Sequence, residues 1–227
     1  FEPLEPLISV FDIANSDGTY STYGTLGNFS VVIGKAKARK SFFVAILVAA
    51  AICKNFILDR FVNRLPNNKY KVLYFDTEQG KNHVKQALHR VFGIGDIEIN
   101  KNIKMFSLRS CSVEERLSFI QETIEKTEDL GFVVIDGIRD LLSAINDEKQ
   151  ATNISNLLLR WTEELNIHIV TVLHQNKSDN NARGHIGTEL INKAETVLSV
   201  TKSESNPDIS VIEDGRDRND EAREFQR

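Results

Sequence analysis

The segment 34–41 carries the residue types that bind phosphate. It reads Gly-Lys-Ala-Lys-Ala-Arg-Lys-Ser, follows the apolar run 29–33 and precedes the long apolar run 42–52. A strand, a loop and a helix that starts with Lys-Ser are the layout of a P-loop, G-x-x-x-x-G-K-[ST]. Backbone N–H groups at a helix N-terminus bind anions, and a lysine adds positive charge. We therefore predict that the helix-start Lys40 faces solvent and that nucleotide is contacted by Gly34, Lys35, Ala36, Lys37, Ala38, Arg39, Lys40 and Ser41.

One position departs from this motif, because Arg39 stands where the second glycine is expected. A side chain there restricts the backbone at the point where the loop would wrap a phosphate. An arginine near phosphates is, on the other hand, electrostatically favourable. Two interpretations follow from the segment alone: a nucleotide-binding loop, or a solvated basic turn.

Polar side chains follow three further apolar runs. Asp76 and Glu78 come after the run 72–75, Asp136 after 132–135, and His174 and Gln175 after 167–173. In open α/β sheets, ligands bind beyond the carboxyl ends of the strands, so these side chains should meet the P-loop at one sheet edge. This convergence is more specific than the altered loop.

The residue types at that edge suit phosphoryl transfer, which needs positioning, charge neutralisation and an oriented water. We expect Lys40 to hold the β- and γ-phosphates of ATP, and Ser41 and Asp136 to hold Mg²⁺. Glu78 would orient or deprotonate the attacking water, and the His-Gln pair after the fifth run would sense the γ-phosphate.

Each of these residues also has a plain structural interpretation. Asp136 could cap a helix, Glu78 could be a first-turn residue favoured by the helix dipole, and His174 could satisfy a core hydrogen bond. The basic residues Arg183, Arg216 and Arg218 could be ordinary surface charges. The histidines and cysteines have no zinc-ligand spacing, so we predict no zinc site.

The elements that would position the site alternate between buried strands and helices. Strands that are apolar throughout are typical of parallel sheets, and this alternation indicates an α/β layered domain. We predict a mostly parallel central sheet flanked by helices, in which the P-loop strand lies between the Asp136 and His174 strands. Short strands at 196–200 and 209–212 would form a C-terminal β-hairpin on one edge. Residues 1–28 would be an entry segment with a turn at 15–18, and 29–227 one ATPase domain.

Length and composition set limits on the protein. The chain has 227 residues, a formal net charge of −4 and two cysteines, which fit a cytoplasmic globular protein without a disulfide framework. The longest apolar run is shorter than the roughly 20 residues of a membrane span, so no membrane partner is expected. The start at Phe1 and the charged end indicate a piece of a longer protein.

The order of these motifs resembles that of RecA-like P-loop ATPases, and most closely the hexameric replicative-helicase branch of plasmid RepA and DnaB (AAA_25-like). The segment 24–41 is also similar to ATPases of bacterial mobile elements, especially those of Bacteroidetes, in which a basic residue often replaces the glycine before the P-loop lysine. The likeness covers about residues 25 to 220 and rests on Gly34…Lys40-Ser41, Asp76-Thr77-Glu78, Val133-Val134-Ile135-Asp136-Gly137, Leu173-His174-Gln175-Asn176-Lys177 and Arg183-Gly184-His185-Ile186-Gly187-Thr188.

This resemblance implies further roles. Glu78 would be the catalytic base, and His174 or Gln175 would read the γ-phosphate and connect to DNA-binding loops. Arg216 and Arg218 would reach the neighbouring subunit's nucleotide and complete its catalytic site. The loop residues Lys177 and Arg183 would contact nucleic acid. The implied partners are copies of the same chain in a ring, such as a hexamer, and single-stranded DNA.

Three functions therefore stand beside one another: an ATP-driven motor on single-stranded DNA in replication, mobilisation or excision of a mobile element; a non-hydrolysing nucleotide switch; and a DNA-binding scaffold that has kept only the fold. The presence of Lys40, Ser41, Glu78 and Asp136 favours the motor. The acidic net charge argues against a strong stand-alone DNA binder.

Overall fold

Strands and helices largely alternate along the chain, as the sequence predicts. The computed structural model describes residues 6–144, 147–176, 182, 184–206 and 208–215. Its strands are β1 (Ser9–Ala14), β2 (Tyr20–Thr25), β3 (Phe29–Gly34), β4 (Phe61–Asn63), β5 (Lys71–Asp76), β6 (Ile103–Ser107), β7 (Leu130–Asp136), β8 (His168–His174), β9 (Thr196–Lys202) and β10 (Ser210–Asp214). Its α-helices are α1 (Lys40–Ile52), α2 (Lys81–Gly95), α3 (Val113–Glu125), α4 (Glu148–Leu165) and α5 (Gly184–Lys193), and a 3₁₀ turn spans Ile138–Leu141.

Seven strands form the central sheet, in the order β10-β9-β3-β8-β7-β5-β6. Neighbouring strands are parallel, except that β10 pairs antiparallel with β9 at one edge. Helices cover both faces of this sheet, with α1 and α2 on one and α3, α4 and α5 on the other. The predicted α/β class, the mostly parallel sheet and the C-terminal hairpin are confirmed.

One predicted neighbour of the P-loop strand is wrong. Strand β3 lies between β8 and β9, whereas β7, which ends in Asp136, pairs with β8 and β5. The crossover through α1 carries the chain past two strand positions before β5, and β7 and β8 fill those positions later. Asp136 therefore reaches the P-loop from two strands away.

A second, three-stranded sheet with the order β2-β1-β4 covers part of the core. Its strands β1 and β2 lie within the segment 1–28, where the sequence predicts only the turn at 15–18. Phe11 and Tyr23 of this sheet are buried, and the Phe11 ring lies 5.8 Å from the ring of Phe132. The division of the chain into an entry segment 1–28 and an ATPase domain 29–227 stays a prediction.

Helix α1 is apolar on all sides because it is buried on nearly all sides. Ten of its thirteen residues are buried, and they pack between the central sheet, the small sheet and α2. The amphipathic helix α4 instead buries one face, through Ile154, Leu158 and Trp161. Among the residues described, no helix combines the length and apolar character needed to cross a bilayer.

Candidate active site

The backbone of the loop 34–41 keeps the conformation that the motif requires. Arg39 has φ 70° and ψ 28°, and Lys37 has φ 65°, so both residues lie in the left-handed region. Arg39 stands where the motif has a glycine, and it takes the conformation that glycine favours. The left-handed geometry costs a residue with a side chain about 1–2 kcal/mol. The glycine has been lost, but the turn of the chain has not.

The N-terminus of α1 suits an anion. Helices α3 and α4 are capped by the side chains of Ser112 and Asp147, but α1 has neither a side-chain cap nor an acidic residue in its first turn. The first N–H groups of a helix have no partner within the helix, so they can bind a phosphate. At the start of the loop, a Cβ on Gly34 would clash with the carbonyl oxygen of Val200, so this glycine is required by space.

The ammonium group of Lys40 lies inside the loop. Nζ donates to the carbonyl oxygens of Gly34 at 2.8 Å and Lys35 at 3.1 Å, and to Nδ1 of His174 at 3.1 Å. The residue is only 6% exposed, so the prediction that Lys40 faces solvent is wrong, because its side chain folds back across the loop. Burial lowers the pKa of Lys40, while the carboxylates of Asp136 and Glu78 act in the opposite direction.

A pair of oxygen ligands lies beside the loop. The Ser41 hydroxyl donates to Oδ2 of Asp136 at 3.3 Å, and the buried Tyr74 hydroxyl donates to the same oxygen at 2.6 Å. Burial raises the pKa of Asp136, and the hydrogen bond from Tyr74 lowers it. A hydroxyl and a carboxylate are the hard oxygen donors that Mg²⁺ prefers. The residues predicted to hold Mg²⁺ therefore fit such an ion.

The turn after β5 presents Glu78. The Asp76 carboxylate accepts hydrogen bonds from the backbone N–H groups of Glu78 at 3.0 Å and Gln79 at 2.7 Å. Burial raises the pKa of Asp76 to about 6 against these hydrogen bonds, and the nearby Asp136 raises it further. On the other side of the turn, a Cβ on Gly137 would lie 3.1 Å from Cγ of Glu78. The carboxylate is thus held at the carboxyl edge of the sheet.

His174 connects Glu78 to the loop. Its Nε2 lies 3.4 Å from Oε1 of Glu78, and its Nδ1 accepts from Lys40. An ammonium group is only a donor, so Nδ1 carries no proton and Nε2–H faces the carboxylate. The hydrogen bond from His174 lowers the pKa of Glu78, with burial opposing and the Lys40 charge adding to the effect. Glu78 is therefore an ionised carboxylate able to accept a proton.

The structure brings five of the predicted site residues together, namely Lys40, Ser41, Glu78, Asp136 and His174. Gln175 is buried at the end of β8 and its backbone N–H donates to the Gly34 carbonyl at 3.1 Å. The Arg39 side chain points instead toward Asp208 in the C-terminal hairpin. Four further predicted residues lie outside the described part of the chain: Lys177, Arg183, Arg216 and Arg218.

Three residues of the site were missed by the sequence analysis. Tyr74 holds Asp136, Asp76 shapes the turn, and the Thr77 hydroxyl lies within 3.1 Å of the Asp136 and Gly137 carbonyl oxygens. A signal for Tyr74 existed, because residues two apart on a strand share a face. A tyrosine two positions before Asp76 therefore points toward the same polar edge.

Comparison with known proteins gives a family and a fold. A family model described as an AAA domain matches residues 22–180. Many chains of known structure match as well. Among them, the ATPase domain of a helicase has a TM-score of 0.58 and 18% sequence identity, over 88% of this chain and 81% of that chain. At this identity the structural likeness concerns the fold alone. Among curated proteins, none matches the chain.

Proposed function

We propose that this chain, which belongs to the AAA domain family, binds ATP with Mg²⁺ and hydrolyses it as a motor of the helicase type. The predicted RecA-like P-loop ATPase fold of the RepA/DnaB type is confirmed, and nucleotide binding is the general property of that class. The observation that carries hydrolysis is the contact between Glu78 and His174, whose imidazole also contacts the P-loop Lys40.

In this proposal the phosphates bind at the N-terminus of α1. The backbone N–H groups and Lys40 supply positive charge there, which is the main contribution a protein makes to phosphoryl transfer. Ser41 and Asp136 would hold Mg²⁺, and Tyr74 fixes the Asp136 carboxylate. A bound Mg²⁺ neutralises charge on the phosphate oxygens.

Glu78 is the candidate general base. Its lowered pKa keeps it ionised at neutral pH, so it can orient a water molecule and accept its proton. The Nε2–H of His174 holds the carboxylate in place. Because the same imidazole contacts Lys40, it can relay a change at the phosphates to the base and to the end of β8.

The finer parts of the proposal concern DNA and assembly. The resemblance of the segment after β8 to DNA-binding loops supports single-stranded DNA as the partner. A cleft of about 470 Å³ adjoins that segment and is lined mostly by polar residues and small residues, among them Asn176, Gly184, His185, Thr188 and Asn192. A ring of identical subunits, a role for Arg216 and Arg218 in the neighbour's site, and an origin in a mobile element rest on the resemblance.

Measuring ATP hydrolysis by the full-length protein, with and without single-stranded DNA, tests this proposal. We expect Mg²⁺-dependent hydrolysis that single-stranded DNA increases. ATP binding without any hydrolysis would favour the non-hydrolysing switch, which the arginine in the P-loop also suggests. DNA binding without ATP binding would favour the scaffold.

A further inference from the structure

The C-terminal hairpin touches the P-loop at two points. The guanidinium of Arg39 donates to the carbonyl oxygen of Asp208 and pairs with its Oδ1 at 3.2 Å. Ser210, the first residue of β10, donates its hydroxyl to the Ala38 carbonyl at 3.4 Å. The loop residues involved are therefore the two that directly precede Lys40.

The hairpin presents Asp208 from an ordered turn. The side chain of Asn206 accepts a hydrogen bond from the Asp208 N–H at 2.9 Å. The Ser203 N–H donates to the Ile209 carbonyl at 3.0 Å, and β9 and β10 then pair in regular antiparallel register from Lys202 and Ser210 onward. Asp208 is thus held on the hairpin and is part of a small bonded unit.

Arg39 links this unit to the site through its own backbone. It is the residue before α1, and its carbonyl oxygen accepts from the N–H groups of Phe42 at 3.0 Å and Phe43 at 3.2 Å. A glycine at this place would adopt the left-handed conformation without strain. An arginine does so with strain, so interactions of its side chain must help to hold it there.

We propose that Arg39 is a positioning residue, and that the β9–β10 hairpin, through Asp208, holds the P-loop in its phosphate-binding conformation. The hairpin thereby replaces the conformational freedom that the missing glycine would supply. Nucleotide affinity and hairpin docking are then coupled, and such coupling is reciprocal. The nucleotide part of this inference rests on the proposed function.

The pair is exposed, with 39% of the Arg39 side chain and 91% of the Asp208 side chain accessible. Exposed ion pairs contribute little, so the expected effect of removing one partner is small. The informative quantity is therefore the dependence of one residue's effect on the other, which a double-mutant cycle measures.

The experiment compares Asp208→Ala in two backgrounds of the full-length protein, the unaltered chain and Arg39→Gly, with ATP binding measured by calorimetry. With Arg39 present, Asp208→Ala should weaken ATP binding by roughly two- to five-fold. In the Arg39→Gly background the same change should have no effect, since glycine needs no partner. Glu204→Gln removes a charge from the same hairpin connection and serves as the matched control. Equal effects of Asp208→Ala in both backgrounds, or none in either, would overturn the proposal.

A second measurement does not depend on nucleotide. Hydrogen exchange of the Phe42 and Phe43 amides, which donate to the Arg39 carbonyl, should be faster in Asp208→Ala and unchanged by that substitution in the Arg39→Gly background. Arg39→Ala should also exchange faster than Arg39→Gly, since alanine keeps the strained Cβ but lacks the guanidinium. Equal exchange in Arg39→Ala and Arg39→Gly would overturn the positioning role. If the unaltered chain failed to bind ATP, the proposed function would fall, while the exchange rates would still decide the role of Arg39.

Discussion

The imidazole Nε2 of His174 lies 3.4 Å from the carboxylate Oε1 of Glu78. The two residues come from different strand ends, since Glu78 follows β5 and His174 ends β8. Two strands of the sheet separate the P-loop strand from β5, and His174 spans part of that distance by contacting Lys40 with its other nitrogen. A change at the P-loop lysine can therefore reach the candidate base through one side chain.

Replacing Lys40 with alanine should abolish ATP hydrolysis and weaken ATP binding by roughly ten- to a hundredfold, because a hydrogen bond to a charged group contributes about 1.5–3 kcal/mol. The side chain is buried and donates to two loop carbonyls, so a loss of stability of about 1 kcal/mol should accompany the change. Calorimetric ATP binding and thermal unfolding measure the two effects. Lys54→Ala, just beyond the end of α1, is the control. An ATP affinity equal to that of the unaltered protein would contradict the P-loop assignment.

Removing the hydroxyl of Tyr74 should weaken Mg²⁺ binding. In Tyr74→Phe the Asp136 carboxylate loses its 2.6 Å hydrogen bond and with it part of its fixed orientation. We expect a several-fold higher Mg²⁺ concentration for half-maximal ATP binding, while ATP binding without Mg²⁺ stays the same. A Mg²⁺ titration of ATP binding measures this effect. Tyr23→Phe removes another buried tyrosine hydroxyl, far along the chain from Asp136, and should leave the titration unchanged. The same titration curve for both variants would argue against the role of Tyr74.

His168 should make the protein less stable in mild acid. The ring is fully buried, with Nδ1 2.8 Å from the Thr25 carbonyl and Nε2 2.8 Å from the Ser30 hydroxyl. Burial lowers its pKa from 6.5 to about 4. Below pH 6.5 the unfolded chain takes up a proton that the folded chain refuses, so the stability from this residue falls until about pH 4.

The full change corresponds to on the order of 3 kcal/mol. Asp76 acts with the opposite sign, because its pKa is raised to about 6 and the folded state gains stability as that group takes up a proton. The pH dependence of His168 is therefore best measured as a difference between two proteins. The unfolding free energy of the unaltered chain should fall more steeply between pH 6.5 and 4 than that of His168→Gln. Parallel curves would contradict the buried neutral state of the ring.

The sequence was sufficient for the order of the elements and for the residues that follow the strands. Buried parallel strands are apolar throughout, so β3, β5, β7 and β8 stand out, and the polar residues after them meet at one edge. The small sheet was missed because β2 reads Tyr-Ser-Thr-Tyr-Gly-Thr, which carries little apolar signal, and because β4 has only three residues.

Contacts between segments distant in sequence could not be predicted. The direction of the Arg39 side chain depends on Asp208, 169 residues away, and the burial of Lys40 depends on His174 at the end of another strand. The place of β7 beside β8 depends on which strand positions the crossovers pass over. Local patterns contain none of this information.

The proposed shared site between neighbours can be tested with mixed subunits. We expect Arg218→Ala to reduce hydrolysis in the assembled protein with little change in the ATP affinity of a single subunit, because a cation from the neighbour acts on the transition state. Lys40→Ala subunits mixed with Arg218→Ala subunits should partly recover activity, since some interfaces then contain both intact groups. Arg216→Ala takes the place of Arg218→Ala in a parallel mixture. A mixture shown to co-assemble but still inactive would argue that these arginines do not act across an interface.

The most direct test of ATP hydrolysis at this site is the comparison of Glu78→Gln with the unaltered protein. Glutamine keeps the shape of the side chain and an oxygen that can accept from Nε2–H of His174, but it cannot take a proton from water. Both proteins should bind ATP with similar affinity. Hydrolysis by the variant should fall by at least about a hundredfold, since a general base contributes 10²–10⁴-fold. Hydrolysis by Glu78→Gln at the rate of the unaltered protein, with Mg²⁺ and ATP at saturation, would contradict the account.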